Sequence, residues 1–208
     1  MTDQSEWTGK VGNVWAEEWQ RTDRSFGPLT QKLLAAARSG PFAQAIDIGC
    51  GAGEISLTLA AGAPSSHVLG VDISDDLLQV ARVRGQDRPN LRFELANAAN
   101  WHAGAAERPD LVVSRHGVMF FADPTAAFTH IAGQAAPGAR LAFSCFRERA
   151  DNIWARELAS IAPPGEEPAP DPEAPGPFAF GRRERTETLL AQSGWTDIAF
   201  EAVDYGMV

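Results

Sequence analysis

One stretch constrains this chain more than any other: Ala45-Ile46-Asp47-Ile48-Gly49-Cys50-Gly51-Ala52-Gly53-Glu54, where an apolar strand runs into a glycine-rich turn and then into a helix through Ile55, Leu57 and Leu59. Glycines there permit positive φ and leave no Cβ between the backbone and a ligand, and the amides of a helix start attract negative charge. The turn is therefore a place where a ligand approaches the backbone closely.

The remaining chain repeats the theme. Apolar runs of strand length alternate with stretches of helical period, the pattern of βαβ units on a mostly parallel sheet. The expected architecture is a doubly wound α/β fold with strands at Ala43–Ile48, His67–Asp72, Asn90–Leu95, Pro109–Ser114, Ala139–Phe146 and Thr196–Val203. Ser74 caps a helix that ends near Gly85, with Asp75 and Asp76 in its first turn and Leu77, Leu78, Val80 and Ala81 facing inward. Asp123-Pro124 opens another, which buries Phe128, Ile131, Ala132 and Ala135 and stops at Pro137-Gly138. A further helix is expected over Gln31–Arg38, inside an amino-terminal segment of about 40 residues that carries Trp7, Trp15, Trp19 and Phe26.

Composition narrows the function. With 18 Lys+Arg against 27 Asp+Glu the formal net charge is -9, so electrostatic binding to nucleic acid or an anionic membrane is disfavoured and a small molecule is the expected partner. Four of those acids lie in Pro163–Pro177, which also holds seven of the 14 prolines; without them the charge is -5. Such a segment reads as a loop, either a substrate-facing insertion or a solvated linker. The start lacks a signal-peptide pattern, and no run of about 18 apolar residues occurs, which predicts a cytoplasmic protein. Cys50 and Cys145 stand at no metal-ligand spacing and read as packing residues in a reducing compartment; no metal is expected. The 208 residues suffice for one domain that needs no staple.

Spacing within the turn separates two cofactor classes. A dinucleotide fingerprint needs Gly-x-Gly-x-x-Gly, but Glu54 stands where the third glycine or alanine belongs. Here the glycines run Gly-x-Gly-x-Gly with an acid two residues ahead. This resembles motif I of the class I S-adenosylmethionine-dependent methyltransferases. HVLGVDIS then ends its strand on Asp72, nineteen residues past Gly53; LRFELANAANW resembles the segment that grips adenine, often Asp-Ala in that family and Asn97-Ala98 here. PDLVVSRHGVMFFADP resembles motif IV, APGARLAFSCF the following turn and fifth strand, and GPFAFGRRERTETLLAQSGW the later helix. The likeness is strongest to small-molecule methyltransferases related to quinone-biosynthesis enzymes.

The resemblance implies S-adenosylmethionine as cofactor and a small organic methyl acceptor. It places the cofactor against Asp47, Gly49, Cys50, Gly51 and Gly53, with Asp72 on both ribose hydroxyls and Ile73 beside it, Asn97 and Ala98 at the adenine, and Ser114 at the strand end facing the methyl group. Trp19 or Trp15 would close the site from the amino-terminal segment, which forms a lid in such enzymes. His116 is the candidate general base, against the alternative of a packed ring. Arg115 either holds an anionic substrate group or pairs with a local carboxylate. Trp101, Phe120 and Phe121 either line the site or fill the core. The rival readings are a nicotinamide-dependent oxidoreductase and a non-catalytic S-adenosylmethionine-binding module.

The family's sheet usually includes a seventh strand inserted beside the fifth, and no residues remain here to form one. The expectation is a six-stranded core with an exposed edge, open to a homo-oligomeric contact.

Overall fold

In the computed structural model residues 7–161 and 174–207 are described, so most of the proline-rich stretch lies outside the described residues. The strands are β1 Gln44–Ile48, β2 His67–Asp72, β3 Leu91–Leu95, β4 Leu111–Arg115 and β5 Arg140–Ser144. They form one all-parallel sheet in the order β3-β2-β1-β4-β5. The helices are α1 Lys10–Glu17, α2 Trp19–Ala37, α3 Glu54–Gly62, α4 Asp75–Gly85, α5 Pro124–Gln134, α6 Ile153–Ile161 and α7 Arg183–Gln192.

Alternation along the strands sends side chains to two cores. Ile46, Ile48, Leu69, Val71 and Val112 pack with Phe128 and Ile131 of α5 and Leu189 and Leu190 of α7. Ala45, Val68, Leu111 and Val113 pack on the opposite face with Leu33 and Leu34 of α2 and Ile55 and Leu59 of α3. This explains why the central strands read as unbroken apolar runs: both of their faces are covered. Phe128 is fully buried against Phe121, Phe143 and Phe180, and its truncation to alanine should cost about 3–5 kcal/mol.

The helix punctuation holds. Ser74 Oγ accepts from the Leu77 amide at 3.4 Å, and Asp123 caps α5 by accepting from the Ala126 amide at 2.9 Å with Pro124 as its first residue. Trp101 and Phe121 belong to the core rather than to a site. The helix expected at Gln31–Arg38 is the end of the much longer α2, which tolerates Pro28 within it.

The sixth strand requires correction. Thr196–Val203 forms no strand, and among the described residues the sheet has five strands rather than six. Asp197 adopts φ 54, a left-handed conformation that breaks an extended run, and among the described residues no backbone hydrogen bond joins this tail to β5. Side chains hold it instead. Ile198 packs on the core, Glu201 pairs with Lys32 of α2 at 3.2 Å, and Asp204 pairs with Arg147 at 2.5 Å.

Candidate functional site

Strand order reverses between β1 and β4, and in doubly wound sheets ligands bind at the carboxyl ends of the strands at such a point. The two turns that leave these strands touch. A Cβ on Gly49 would lie 2.8 Å from the Gly117 Cα, and one on Gly117 would lie 2.6 Å from the Ile48 carbonyl. Gly49, Gly51 and Gly53 all have positive φ, at 64, 53 and 87. Their surroundings differ: a Cβ on Gly53 would press on Phe93 and Ala81, whereas one on Gly51 meets nothing within 4 Å. Gly51 is thus the glycine whose backbone faces open space.

Two buried carboxylates organise this turn. Asp72 Oδ2 accepts from the Gly51 amide at 2.8 Å and Oδ1 from the Ser74 amide at 2.9 Å, tying the turn to the start of α4. Burial raises its pKa despite those amides, while Ile73 beside it is half-buried. Asp47 Oδ2 accepts from the Ser56 amide at 3.1 Å and its hydroxyl at 2.6 Å, pinning β1 to the first turn of α3. Its Oδ1 is buried with no partner among the described residues, and desolvation lifts the acid from its usual 3.8 to about 6. Cys50 donates its amide to the Val71 carbonyl at 3.1 Å; its buried thiol is raised well above its ordinary pKa by desolvation, then by Asp72 and Asp47. It is an inert packing group.

Ser114 and Asn97 each bond to nearby backbone. The Ser114 hydroxyl donates to the Ile48 carbonyl at 2.7 Å and accepts from the Val118 amide at 3.3 Å, joining the ends of β1 and β4. Asn97 Oδ1 accepts from the Ala99 amide at 2.9 Å, forming a turn after β3, and Ala98 is buried in the core.

Asp23 and Arg84, which carry no signal in the sequence, join Arg115 and Glu54 beside the turn. Arg115 pairs with Glu54 in a bond shared with Thr30 and lies 3.8 Å from Asp23; Asp23 in turn pairs with Arg84 at 2.6 Å. Arg84 also donates to the Ala52 carbonyl at 2.6 Å and covers the Trp19 ring at 3.9 Å. Of the two readings of Arg115, local pairing is therefore the one realised. Trp19 faces a guanidinium at the edge of the glycine turn, and Trp15 is exposed. Trp7 does more. It packs edge-on to Phe120 at 5.0 Å, while Gly12 of α1 abuts Ser74, so the amino-terminal segment reaches from the start of α4 to the turn after β4. The partners of Asp23 and Trp7 come from distant parts of the chain, and no local periodicity marks them.

His116 has φ 68, a conformation that L-residues adopt at a cost of order 1–3 kcal/mol unless their surroundings impose it. Its ring stacks on Phe146 at 4.3 Å and meets Phe26 edge-on at 5.0 Å. Burial, helped by the Arg115 cation, holds its pKa down to about 3, so the imidazole is neutral across the physiological range. That favours the packed-ring alternative over a general base, whose pKa should lie near the working pH. Among the described residues no cluster of His, Cys, Asp and Glu is arranged to hold a metal ion.

Comparison with known proteins fits this geometry. A family model described as "Methyltransferase domain" matches residues 45–138, the span from β1 to the turn before β5. Over this span the chain is similar to a methyltransferase domain. A trans-aconitate 2-methyltransferase of Variovorax paradoxus is 31% identical over 164 residues, covering 79% of this chain and 58% of that one. An uncharacterised protein of Mycobacterium tuberculosis is 31% identical over 175 residues, 82% of this chain and 60% of that one. The chain thus spans less than two thirds of either relative. Among solved structures, a magnesium protoporphyrin IX methyltransferase from Synechocystis PCC 6803 with bound SAH superposes with TM-score 0.63 at 16% identity, covering 88% of both chains. Phosphoethanolamine N-methyltransferase 2 of Haemonchus contortus, in complex with S-adenosyl-L-methionine, gives 0.67 at 18% identity over 95% of this chain and 45% of that one. These likenesses establish the methyltransferase fold; the oxidoreductase reading finds no support among them.

Proposed function

We propose that this protein binds S-adenosylmethionine at the β1 turn and transfers its methyl group to a small organic acceptor. The observation that carries the reading is the Gly51–Asp72 pair. A glycine in left-handed conformation faces open space, its amide held by a buried carboxylate at the topological switch point. Such a cradle fits a nucleoside cofactor, because a Cβ at Gly51 would enter the ligand's space and a carboxylate at Asp72 can accept from two hydroxyls at once.

When bound, the cofactor supplies an electrophilic sulfonium methyl, so the reaction needs orientation more than acid–base chemistry. Gly51 supplies the close-approaching backbone while Gly49 and Gly53 shape the turn around it, Asp72 with Ile73 forms the ribose side, and Asn97 with Ala98 the adenine side. Asp47, Cys50 and Ser114 hold the turn in place without touching the ligand. Trp7 and Phe120, more than Trp19, cover the site. Among the described residues no helix is long and apolar enough to cross a membrane. The acidic charge supports a partner that is neither nucleic acid nor membrane, and the two unpaired cysteines support a cytoplasmic location. The β5 edge, without a ladder partner among the described residues, is where a second copy would associate; light scattering checks this.

Calorimetric titration with S-adenosylhomocysteine tests the cofactor half, and transfer of isotopic methyl to an acceptor pool tests the chemistry. Absence of binding sinks the reading. Binding without transfer to any acceptor would leave the non-catalytic module.

A further inference from the structure

The ends of β4 and β5 carry a cluster of rings drawn from distant segments. His116 stacks on Phe146 at 4.3 Å, Phe146 meets Trp154 of α6 at 5.5 Å, and Trp154 stacks on Phe178 at 5.7 Å with planes 21° apart. Phe26 of α2 and Tyr205 of the tail close the other side at 6.4 Å from one another. His116 directly follows β4, and the next residue, Gly117, rests on Gly49, so the cluster borders the candidate cofactor turn.

Two observations say what it recognises. Trp154 Nε1 and Tyr205 OH are buried and have no hydrogen-bond partner among the described residues, and the Ser144 hydroxyl at the end of β5 is in the same condition. Most buried polar atoms in folded proteins are paired, so three orphans around one aromatic cluster call for oxygen atoms supplied by a ligand. The cations nearby are already engaged: Arg115 with Glu54, Arg147 with Asp204 at 2.5 Å, and Arg149 over the Phe178 ring at 5.0 Å. A polycarboxylate needs clustered guanidinium groups, and would also approach a chain of net charge -9.

We propose that the methyl acceptor is a planar aromatic molecule bearing a hydroxyl group, stacked on the Phe146–Trp154–Phe178 rings, rather than a polycarboxylate such as the trans-aconitate named for the Variovorax relative. This rests on the methyl-transfer reading above. The acceptor's hydroxyl oxygen forms the new C–O bond as the methyl C–S bond breaks; that electron pair stays on sulfur, leaving a neutral thioether, and the hydroxyl proton passes to water.

The test uses the full chain, first titrated with S-adenosylhomocysteine. Failure here overturns the methyl-transfer reading and the proposal with it. The saturated protein is then titrated with 1-naphthol, decahydro-1-naphthol and trans-aconitate. The expected result is 1-naphthol binding at least ten-fold tighter than either of the others, with labelled 1-methoxynaphthalene formed when S-adenosylmethionine is supplied. Equal or reversed affinities overturn the proposal while leaving the cofactor reading intact. Trp154→Phe keeps an aromatic ring in the cluster while removing the N–H donor and part of the stacking face; it should weaken 1-naphthol about five-fold without changing S-adenosylhomocysteine affinity. Phe178→Leu should weaken it about ten-fold. If both variants bind 1-naphthol as tightly as the parent, the rings are core packing and the proposal falls.

Discussion

Gly49 and Gly117 meet backbone to backbone, the first turn after β1 resting on the first turn after β4. Neither position has room for a methyl group: an added Cβ at Gly117 would come within 2.6 Å of the Ile48 carbonyl and 2.8 Å of the Gly49 Cα. The obstacle is backbone on both sides, so it cannot swing away as a flexible side chain would. Gly117→Ala should therefore spread the two turns, lower stability by about 1–3 kcal/mol and weaken S-adenosylhomocysteine binding. Chemical denaturation and calorimetry on the same variant check the two effects together.

The Asp72 carboxylate is the second support of the turn. Replacing it by asparagine leaves an oxygen for one amide but directs an NH2 group at the other, so either the Gly51 or the Ser74 contact is lost. Hydrogen bonds to a charged group contribute about 1.5–3 kcal/mol. Asp72→Asn should thus weaken S-adenosylhomocysteine roughly ten- to hundred-fold by calorimetry. An unchanged affinity would place the cofactor elsewhere.

What could be read from the sequence, and what could not, divides along the range of the interactions. The five strands, the Ser74 and Asp123 caps and the glycine turn are local features, and each has a signal within a few residues. Thr196–Val203 reads as an apolar run of strand length as well, but a strand needs a ladder partner, and Asp197 turns the chain out of the extended region. The site residues divide the same way. Asp72 stands out because it follows an apolar run at a fixed distance from the glycines. Asp23, Arg84, Trp7, Trp154 and Tyr205 matter because of what they meet across the fold, and charge or ring spacing along the chain does not encode those meetings. Ser114 stands out by its place at a strand end, and its hydroxyl joins the Ile48 carbonyl to the Val118 amide.

The ion network beneath the glycine turn should be worth more than a surface pair. Asp23, Arg84, Arg115 and Glu54 have side chains only 14–19% exposed, so removing one member leaves a charge poorly hydrated. Asp23→Ala should cost on the order of 2 kcal/mol, below the range for fully buried pairs because some water reaches the site. The loss should change little between low salt and about 0.5 M salt, since partly buried pairs are weakly screened. A surface salt bridge would instead show a smaller cost that vanishes with added salt. Denaturant unfolding of parent and variant at the two ionic strengths distinguishes the cases.

Asp47 gives the fold a pH dependence of definite sign. Its pKa climbs from 3.8 to about 6 on folding because burial penalises the charged form. The native state therefore binds the proton more tightly than the unfolded chain does, and stability from this group is full below about pH 4 and lost as the pH rises through 6. That climb corresponds to roughly 3 kcal/mol. Asp47→Asn, which cannot ionise, should lack this component. The stability difference between parent and variant should shift by about that amount in favour of the variant between pH 4 and pH 8. Parallel unfolding curves at several pH values measure it, and a difference independent of pH would show that Asp47 titrates normally.

His116 tests how the active face works. A general base typically contributes a factor of 10²–10⁴, and its pKa is matched to the working pH. The His116 ring is held down to about 3 by burial and by Arg115, and it sits between Phe26 and Phe146 as an aromatic wall. A phenyl ring can occupy the same slot, and its Cβ meets the same φ of 68 that the histidine already adopts. His116→Phe should therefore keep the fold and lower the methyl-transfer rate by less than about ten-fold, and the pH–rate profile of the parent between 6 and 8 should owe no inflection to this ring. A loss of a hundred-fold or more, with S-adenosylhomocysteine affinity unchanged, would instead make the imidazole the proton acceptor and require its pKa to rise when acceptor and cofactor are both bound.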